Sequence, residues 1–307
     1  MSVLSTLRPP VQAKRSSNIF RQALLAPYVF TAPFYILFTA FFLLPCLAAL
    51  ALSFYKWNGI GNPQWLGLRN FQRLFEDPTF WQAVGNTVIY MLASLFIVVP
   101  LALVLAGLLN SKELGMGSIW RSIYFTPVVT SSVAIALVFS LLYSKDYGLI
   151  NAFFKMIGLP AISWLGDGSW AKVSIIILLV WRWTGYLMIY FLAGMQSISQ
   201  ELYEAAMIDG ASGSQQFMRI TVPLLRPVIL YVCIIVTTGS LQIFEEPFIL
   251  TLGGPANATL SISQYLYTRG LAGLKFGIGS AVGLLMFVAI FGLSALQLRS
   301  FGIFQEK

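Results

Sequence analysis

The chain has 307 residues, of which 58% are hydrophobic and only 10% charged, with a formal net charge of +8. A soluble globular domain carries about a quarter charged residues, so the composition excludes that class. The absence of histidine excludes His-based metal sites, general bases and pH switches, and the basic residues are scattered rather than striped, which argues against nucleic acid.

Repeated apolar runs of about 20 residues predict an all-α integral membrane protein. Residues 1–20 form a basic tail with Pro9-Pro10 and no apolar segment of their own, as expected of a cytoplasmic tail. The first span is expected at about 27–54, too long for a cleaved signal. Between Tyr55 and Gly85 a polar segment carries Trp57, Trp65 and Trp81, which suit a membrane interface. There Asp77-Pro78 opens a turn and short helix, leading to a second span at about 86–109. A third span is expected at about 121–143. Gly158-Leu159-Pro160 and Gly166-Asp167-Gly168 punctuate the loop before the fourth, at about 171–195. A polar connection, 197–223, separates it from a fifth span at about 225–244. A Gly- and Thr-containing loop leads to the sixth, at about 276–298, and 301–307 form a tail. Residues 21–300 thus read as one domain of about six spans. Cys46 and Cys233 lie inside apolar runs and read as small hydrophobes. Six spans place both termini on one side. The Lys and Arg bias is slight, and the basic tail tips it towards termini and connection in the cytoplasm.

Within the connection, Ser197 and Gln200 are spaced to cap a helix, and Leu202 to Ile208 propagate it. On a helical wheel Leu202, Ala205 and Ala206 share one arc, with Glu201 and Glu204 together on the far side. Gly210 stands where a C-cap glycine should, free to take a positive φ. Ser212 with Gln215 can cap a second short helix, which Pro223 should end or redirect. From the residues alone, two readings stay open: a hinged docking element, or an amphipathic loop resting on headgroups.

The same residues carry a resemblance. Glu204-Ala205-Ala206, then Gly210, then Ile220-Thr221-Val222-Pro223 resembles the EAA motif of permease subunits in binding-protein-dependent ABC importers; Val222 stands where that family often has Leu. Asn70-Phe71, Asp77-Pro78, Phe80-Trp81, Asn86-Thr87, Trp181-Arg182-Trp183, the stretch Thr251 to Thr259 and Gly277 to Ala281 resemble its carbohydrate branch, which contains the maltose and glycerol-phosphate permeases. The resemblance implies a type I ABC importer permease fold in a bacterial inner membrane. It implies that Glu204, Ala205, Ala206, Asp209, Gly210 and Ala211 form a coupling helix seated on a cytoplasmic ATPase dimer. It further implies a second permease subunit, an extracytoplasmic solute-binding protein, and a sugar or sugar-like solute, with glycerol phosphate as the alternative. The sequence has no Gly-Lys pair and hence no P-loop, so ATP and Mg would be used by partner subunits and no cofactor is expected on this chain.

Arg182 falls near the middle of the fourth span, where a charge costs about 2.5–3.5 kcal/mol on insertion scales and should face protein or water. Tyr186 and Tyr190 continue its face at i+4 and i+8. This stripe suits a polar solute with apolar faces; bundle packing is the competing account. If the fifth span is one continuous helix from Leu225, Glu245 and Glu246 lie about 30 Å up it. They would then be out of reach of Arg182, with Glu245 and nearby Gln242 at a rim or gate. Thr251 to Thr259 suits contact with an external protein, or a plain turn. Two other function classes compete. A stand-alone secondary transporter would need intramembrane carboxylate relays, and a membrane-embedded enzyme would need a nucleophile and base at depth; the expected spans show neither.

Overall fold

The computed structural model describes residues 17–110 and 117–301. Most of the tails at 1–20 and 301–307, and part of the connection after the second span, lie outside the described residues. The chain divides between Ala51 and Leu52 into two compact units. The first holds α1 (Ser17–Phe38), a π turn (Thr39–Leu43) and most of α2 (Leu44–Leu52). Along it Phe34, Phe38 and Phe42 stack at the i, i+4 spacing of one helix face.

The second unit opens with a hairpin of β1 (Tyr55–Lys56) and β2 (Gln64–Trp65), antiparallel with Tyr55 opposite Trp65. After α3 (Arg69–Glu76), α4 (Pro78–Ala93) runs through a π turn (Ser94–Val98) into α5 (Val99–Leu109). This helix starts at Pro78, earlier than the expected residue 86. Asp77 caps it, its carboxylate accepting from the Thr79 N–H at 2.8 Å, and Pro78 fills the first helical position. Next come α6 (Gly117–Val129), α7 (Ser132–Leu142), α8 (Leu149–Met156) and α9 (Gly168–Gln196). The expected third span is broken: α6 and α7 meet at 96°, where Ser131 leaves helical geometry at φ −54°, ψ 128°.

The remaining elements are α10 (Gln200–Ile208), α11 (Gly213–Gln216), a π turn (Phe217–Thr221), α12 (Val222–Leu224), α13 (Arg226–Leu241), α14 (Glu245–Thr251), α15 (Ile262–Tyr265), a π turn (Leu266–Leu271) and α16 (Phe276–Ser300). Three of the π turns end two residues before a proline, namely Pro45, Pro100 and Pro223. Proline cannot give an N–H to the carbonyl four residues back and its ring crowds that carbonyl, so a widened turn accommodates both. Past Pro223 the chain bends by 70° into α13. Among the described residues, four helices are long and apolar enough to cross a membrane, or six spans if each bent pair counts as one.

The centre of the second unit is α9. Its buried positions, among them Ala171, Ile175, Leu178, Arg182, Gly185 and Leu192, recur every three or four residues. Asp167 caps it by accepting from the N–H groups of Ser169 and Trp170. Ala102 and Ala106 of α5 are fully buried in the cluster that includes Met188 and Phe191. At Gly185 the backbone of α6 passes so near that a Cβ would overlap the Tyr124 carbonyl oxygen. Lipid tails are as apolar as leucine, so close backbone approach at small residues, rather than hydrophobic drive, holds such helices together.

Two ends of this unit can be told apart. Phe217 packs on Gly107 near the finish of α5, which places the 197–223 connection there. The hairpin, α3 and the first turn of α16 gather at the other end, where α4 begins: Asn70 donates to the Ser53 and Tyr55 carbonyls, and Gly277 lies against the Tyr55 carbonyl.

Candidate functional site

The connection folds as two short helices. Its first cap is Ser199 rather than Ser197: Ser199 accepts from the Glu201 N–H at 3.3 Å, whereas Ser197 is still helical and closes the end of α9 on the Gly194 carbonyl. The helix α9 runs further than the sequence pattern shows, which moves the cap by two positions. At the other end of α10 the Gly210 N–H bonds the Met207 carbonyl at 3.0 Å and the Ala211 N–H bonds the Ala206 carbonyl at 2.8 Å. That is a Schellman closure, and it needs the φ of +78° that Gly210 adopts. Ser212 and Gln215 form a reciprocal capping box for α11. Helix α10 is tied to the π turn that follows α11 by the hydroxyls of Tyr203 and Thr221 at 2.8 Å.

The inward face of α10 consists of Tyr203 and Ala206, both half-buried; of the expected arc of Leu202, Ala205 and Ala206, the first two are exposed. Tyr203 turns inward because its hydroxyl reaches Thr221. Glu204 is exposed and accepts from the Gln200 amide at 2.8 Å. Ala205 and Asp209 are exposed, and Ala211 is half-buried where the chain turns. Beside them stand exposed apolar side chains: Ile208 is 87% accessible, Met207 57% and Leu202 47%.

The intramembrane site corrects the expectation for Glu245 and Glu246. Helix α13 stops at Leu241, Gln242 to Phe244 leave helical geometry, and α14 starts at Glu245 and packs against α7 and α9. A 16-residue α13 rises only about 24 Å, so the carboxylates lie at the level of Arg182 rather than above it. Arg182 Nη1 is 3.1 Å from Glu246 Oε1 and 3.7 Å from Glu245 Oε2. Its Nη2 donates to Ser132 Oγ at 2.7 Å, which the α6–α7 bend brings into reach. Trp183 donates its Nε1 to the same Glu246 oxygen at 3.3 Å, and the guanidinium lies 5.3 Å from the Trp183 ring centroid. A carboxylate thus does stand at membrane depth, but in an ion pair with an arginine.

A cavity of about 550 Å³ opens beside this pair, lined by Arg182, Trp183, Tyr186, Gln242, Glu245 and Glu246 together with apolar residues of α9 and α13. Glu246 is buried while the Glu245 side chain is 57% accessible. Tyr190 stands one step away, its hydroxyl 2.6 Å from that of Tyr186 and its ring against Tyr231. Of the residues singled out from the sequence, Arg182, Tyr186, Gln242 and Glu245 share the cavity and Tyr190 backs it. Trp183 and Ser132 went unassigned from the sequence, and Glu246 was placed out of reach of Arg182. The available signal was the polar interruption Gln242 to Pro247, which marks a helix break.

At the other end of the unit, Asn86 donates to the carbonyls of Asn257 and Leu260, both at 3.0 Å. Tyr90 donates to the Thr259 carbonyl at 3.2 Å, and Thr87 Oγ1 accepts from the Ile262 N–H at 2.9 Å. The stretches Asn86-Thr87 and Thr251 to Thr259, far apart in sequence, are one structural element.

The family model described as binding-protein-dependent transport system inner membrane component matches residues 99–300. The chain belongs to this family. It is 40% identical over 275 residues to the lactose transport system permease protein LacF of Rhizobium radiobacter, covering 88% of this chain and 92% of that one. It is 36% identical over 307 residues to the arabinooligosaccharides transport system permease protein AraP of Bacillus subtilis, covering 98% and 97%. A crystal structure of a bacterial ABC transporter involved in the import of the acidic polysaccharide alginate holds a similar chain, with a TM-score of 0.82 and 27% identity over 94% of this chain and 98% of that one. The fold is accordingly the type I ABC importer permease fold, and the chain is a membrane-spanning permease component rather than an enzyme.

Proposed function

We propose that this chain is one permease subunit of an ATP-driven importer for a sugar or sugar-like solute, in the inner membrane with both termini in the cytoplasm. It would form half of the translocation path beside a second, non-identical permease. A nucleotide-binding ATPase dimer using ATP and Mg would sit below it, and a solute-binding protein would deliver solute from outside. The observation that carries this reading is the surface of α10: Ile208, Met207 and Leu202 are exposed beside a rigidly closed turn at Gly210. An apolar patch on an otherwise polar loop calls for a groove on another protein. Glu204, Ala205, Ala206, Asp209, Gly210 and Ala211 then form the coupling element, and ATPase closure moves the attached helices as rigid bodies.

The sugar assignment is supported by the relatives named for lactose and arabinooligosaccharides and by the alginate importer, one structure of which is a complex with an alginate pentasaccharide-bound periplasmic protein. Gln242 and Glu245 offer hydrogen-bonding groups to the cavity, and Trp183 and Tyr186 offer apolar ring faces, the combination a sugar requires.

In the assembled transporter, Gly210→Pro should abolish stimulation of ATP hydrolysis by the solute-loaded binding protein while insertion and assembly persist. Ile208→Glu should release the ATPase subunit on gel filtration. Normal stimulation in the first variant and an intact complex in the second would remove the coupling role.

A further inference from the structure

At the end opposite the 197–223 connection, the hairpin, α3 and the start of α16 enclose a second cavity, of about 540 Å³. Lys56, Arg73 and Lys275 line it together with the side-chain amides of Asn58, Asn62 and Gln64, and its lining includes no carboxylate. Among the described residues the ion pairs are those of Arg182, and none engages these three cations. A smaller pocket of about 150 Å³ adjoins it, sharing Arg73 and Lys275 and adding Arg269 and Asp77. The Asp77 carboxylate there is already held by the Tyr265 hydroxyl at 2.7 Å. Three like charges gathered on one cavity repel one another, and an anion placed among them relieves that repulsion. The first turn of α16, through Gly277, lies at the same cavity and adds a field of the same sign.

The surroundings select the kind of anion. Ile60 and Leu274 line the cavity yet are 80% and 56% accessible, and the half-buried Trp57 lines it with them. A soluble anion has no use for such a rim. A lipid does, because its phosphate meets cations at the headgroup level while its chains lie on aromatic and aliphatic side chains just below. We infer that this cavity binds the phosphate of an anionic phospholipid in the leaflet opposite the 197–223 connection. Naming that leaflet the outer one rests on the orientation proposed above; the binding itself does not.

The test uses the assembled transporter, stripped of lipid in detergent and titrated with phosphatidylglycerol or phosphatidylcholine under native mass spectrometry. The wild type should retain phosphatidylglycerol at a concentration about ten-fold lower than phosphatidylcholine. The Lys56→Gln/Arg73→Gln/Lys275→Gln variant should need at least about ten-fold more. The charge-preserving Lys56→Arg/Arg73→Lys/Lys275→Arg variant should retain lipid. Equal retention by the glutamine variant overturns the inference, as does full displacement by glycerol 1-phosphate at equal phosphate concentration, which would make the ligand a soluble anion. Retained lipid with lost docking of the solute-binding protein would assign the cavity to a protein carboxylate and overturn it too. Should the glutamine variant fail to assemble, salt decides: a phosphatidylglycerol preference unchanged between about 50 and 300 mM salt sinks the proposal. Failure of the Gly210 coupling test would leave these outcomes untouched.

Discussion

Arg182 and Glu246 form a buried ion pair, 3.1 Å between Nη1 and Oε1, that joins the middle of α9 to the first turn of α14. Removing one partner strands a charge away from water, which costs about 3–5 kcal/mol. Glu246→Ala should therefore lower the thermal stability of the purified protein sharply. The double variant Arg182→Met/Glu246→Met should recover most of the loss, since a well-packed apolar pair replaces a buried ionic one at little cost. Glu245, more than half exposed, should contribute no more than about 1 kcal/mol, so Glu245→Gln should alter transport before stability. Equal destabilisation by Glu245→Gln and Glu246→Ala would contradict the unequal burial of the two carboxylates.

The tyrosine ladder makes a separate prediction. Tyr186 faces the cavity and its hydroxyl meets that of Tyr190 at 2.6 Å. Removing both rings by Tyr186→Ala/Tyr190→Ala should raise the solute concentration needed for half-maximal uptake or change which sugars compete. Tyr190→Phe alone, which keeps the ring against Tyr231 and loses one neutral hydrogen bond, should change stability by only about 0.5–1.5 kcal/mol. Uptake kinetics unchanged for every solute in the double variant would return both rings to packing.

Acid should weaken one identifiable link. Burial tends to raise the Asp77 carboxyl, but hydrogen bonds from the Tyr265 hydroxyl and Thr79 outweigh it and hold the group below its ordinary value of 3.8, with Arg269 acting in the same direction. A carboxyl lowered on folding contributes stability that is complete above its unfolded value and is lost as pH falls through its folded one. Asp77→Asn keeps the helix cap, since Asn caps as well as Asp, and removes the titration. The stability gap between wild type and Asp77→Asn should be constant above about pH 5 and close below about pH 4. A gap that persists unchanged at pH 3 would show that the charge is not what Tyr265 holds.

What was legible in the sequence was local. Asp77-Pro78 and the Ser212–Gln215 box act within one turn, and Gly210 closes its helix through bonds spanning only a few residues, so neighbouring residues suffice to specify them. Whether Ser197 or Ser199 caps α10 depends on where α9 stops, and helix ends are poorly fixed by periodicity. Glu246 was out of reach because depth was counted along one unbroken fifth helix. The break at Gln242 to Phe244 is held by α14 packing on α7, whose own direction is set by the bend at Ser131. That is tertiary information, and no spacing of apolar residues carries it.

The late loop gives the last prediction. Asn86 is 2% accessible and spends both of its amide N–H groups on carbonyls of Asn257 and Leu260. Asn86→Ala leaves the Leu260 carbonyl without its donor, a loss of about 1–3 kcal/mol for a buried acceptor, while the Asn257 carbonyl keeps the Leu260 N–H at 3.2 Å. Asn86→Asp should be worse, because a carboxylate cannot donate and faces two carbonyl oxygens. Gln82 makes a similar bond to the Ala256 carbonyl at 3.1 Å, but at an exposed position, so Gln82→Ala should cost within about 0.5 kcal/mol. Hydrogen exchange should locate the effect: faster exchange at residues 252–262 in Asn86→Ala, with α10 and α11 unchanged. If this loop meets the binding protein, the same variant should lose part of the stimulation of ATP hydrolysis while basal hydrolysis persists. Protection of 252–262 equal to wild type would mean that Tyr90 and Thr87 hold the loop without Asn86.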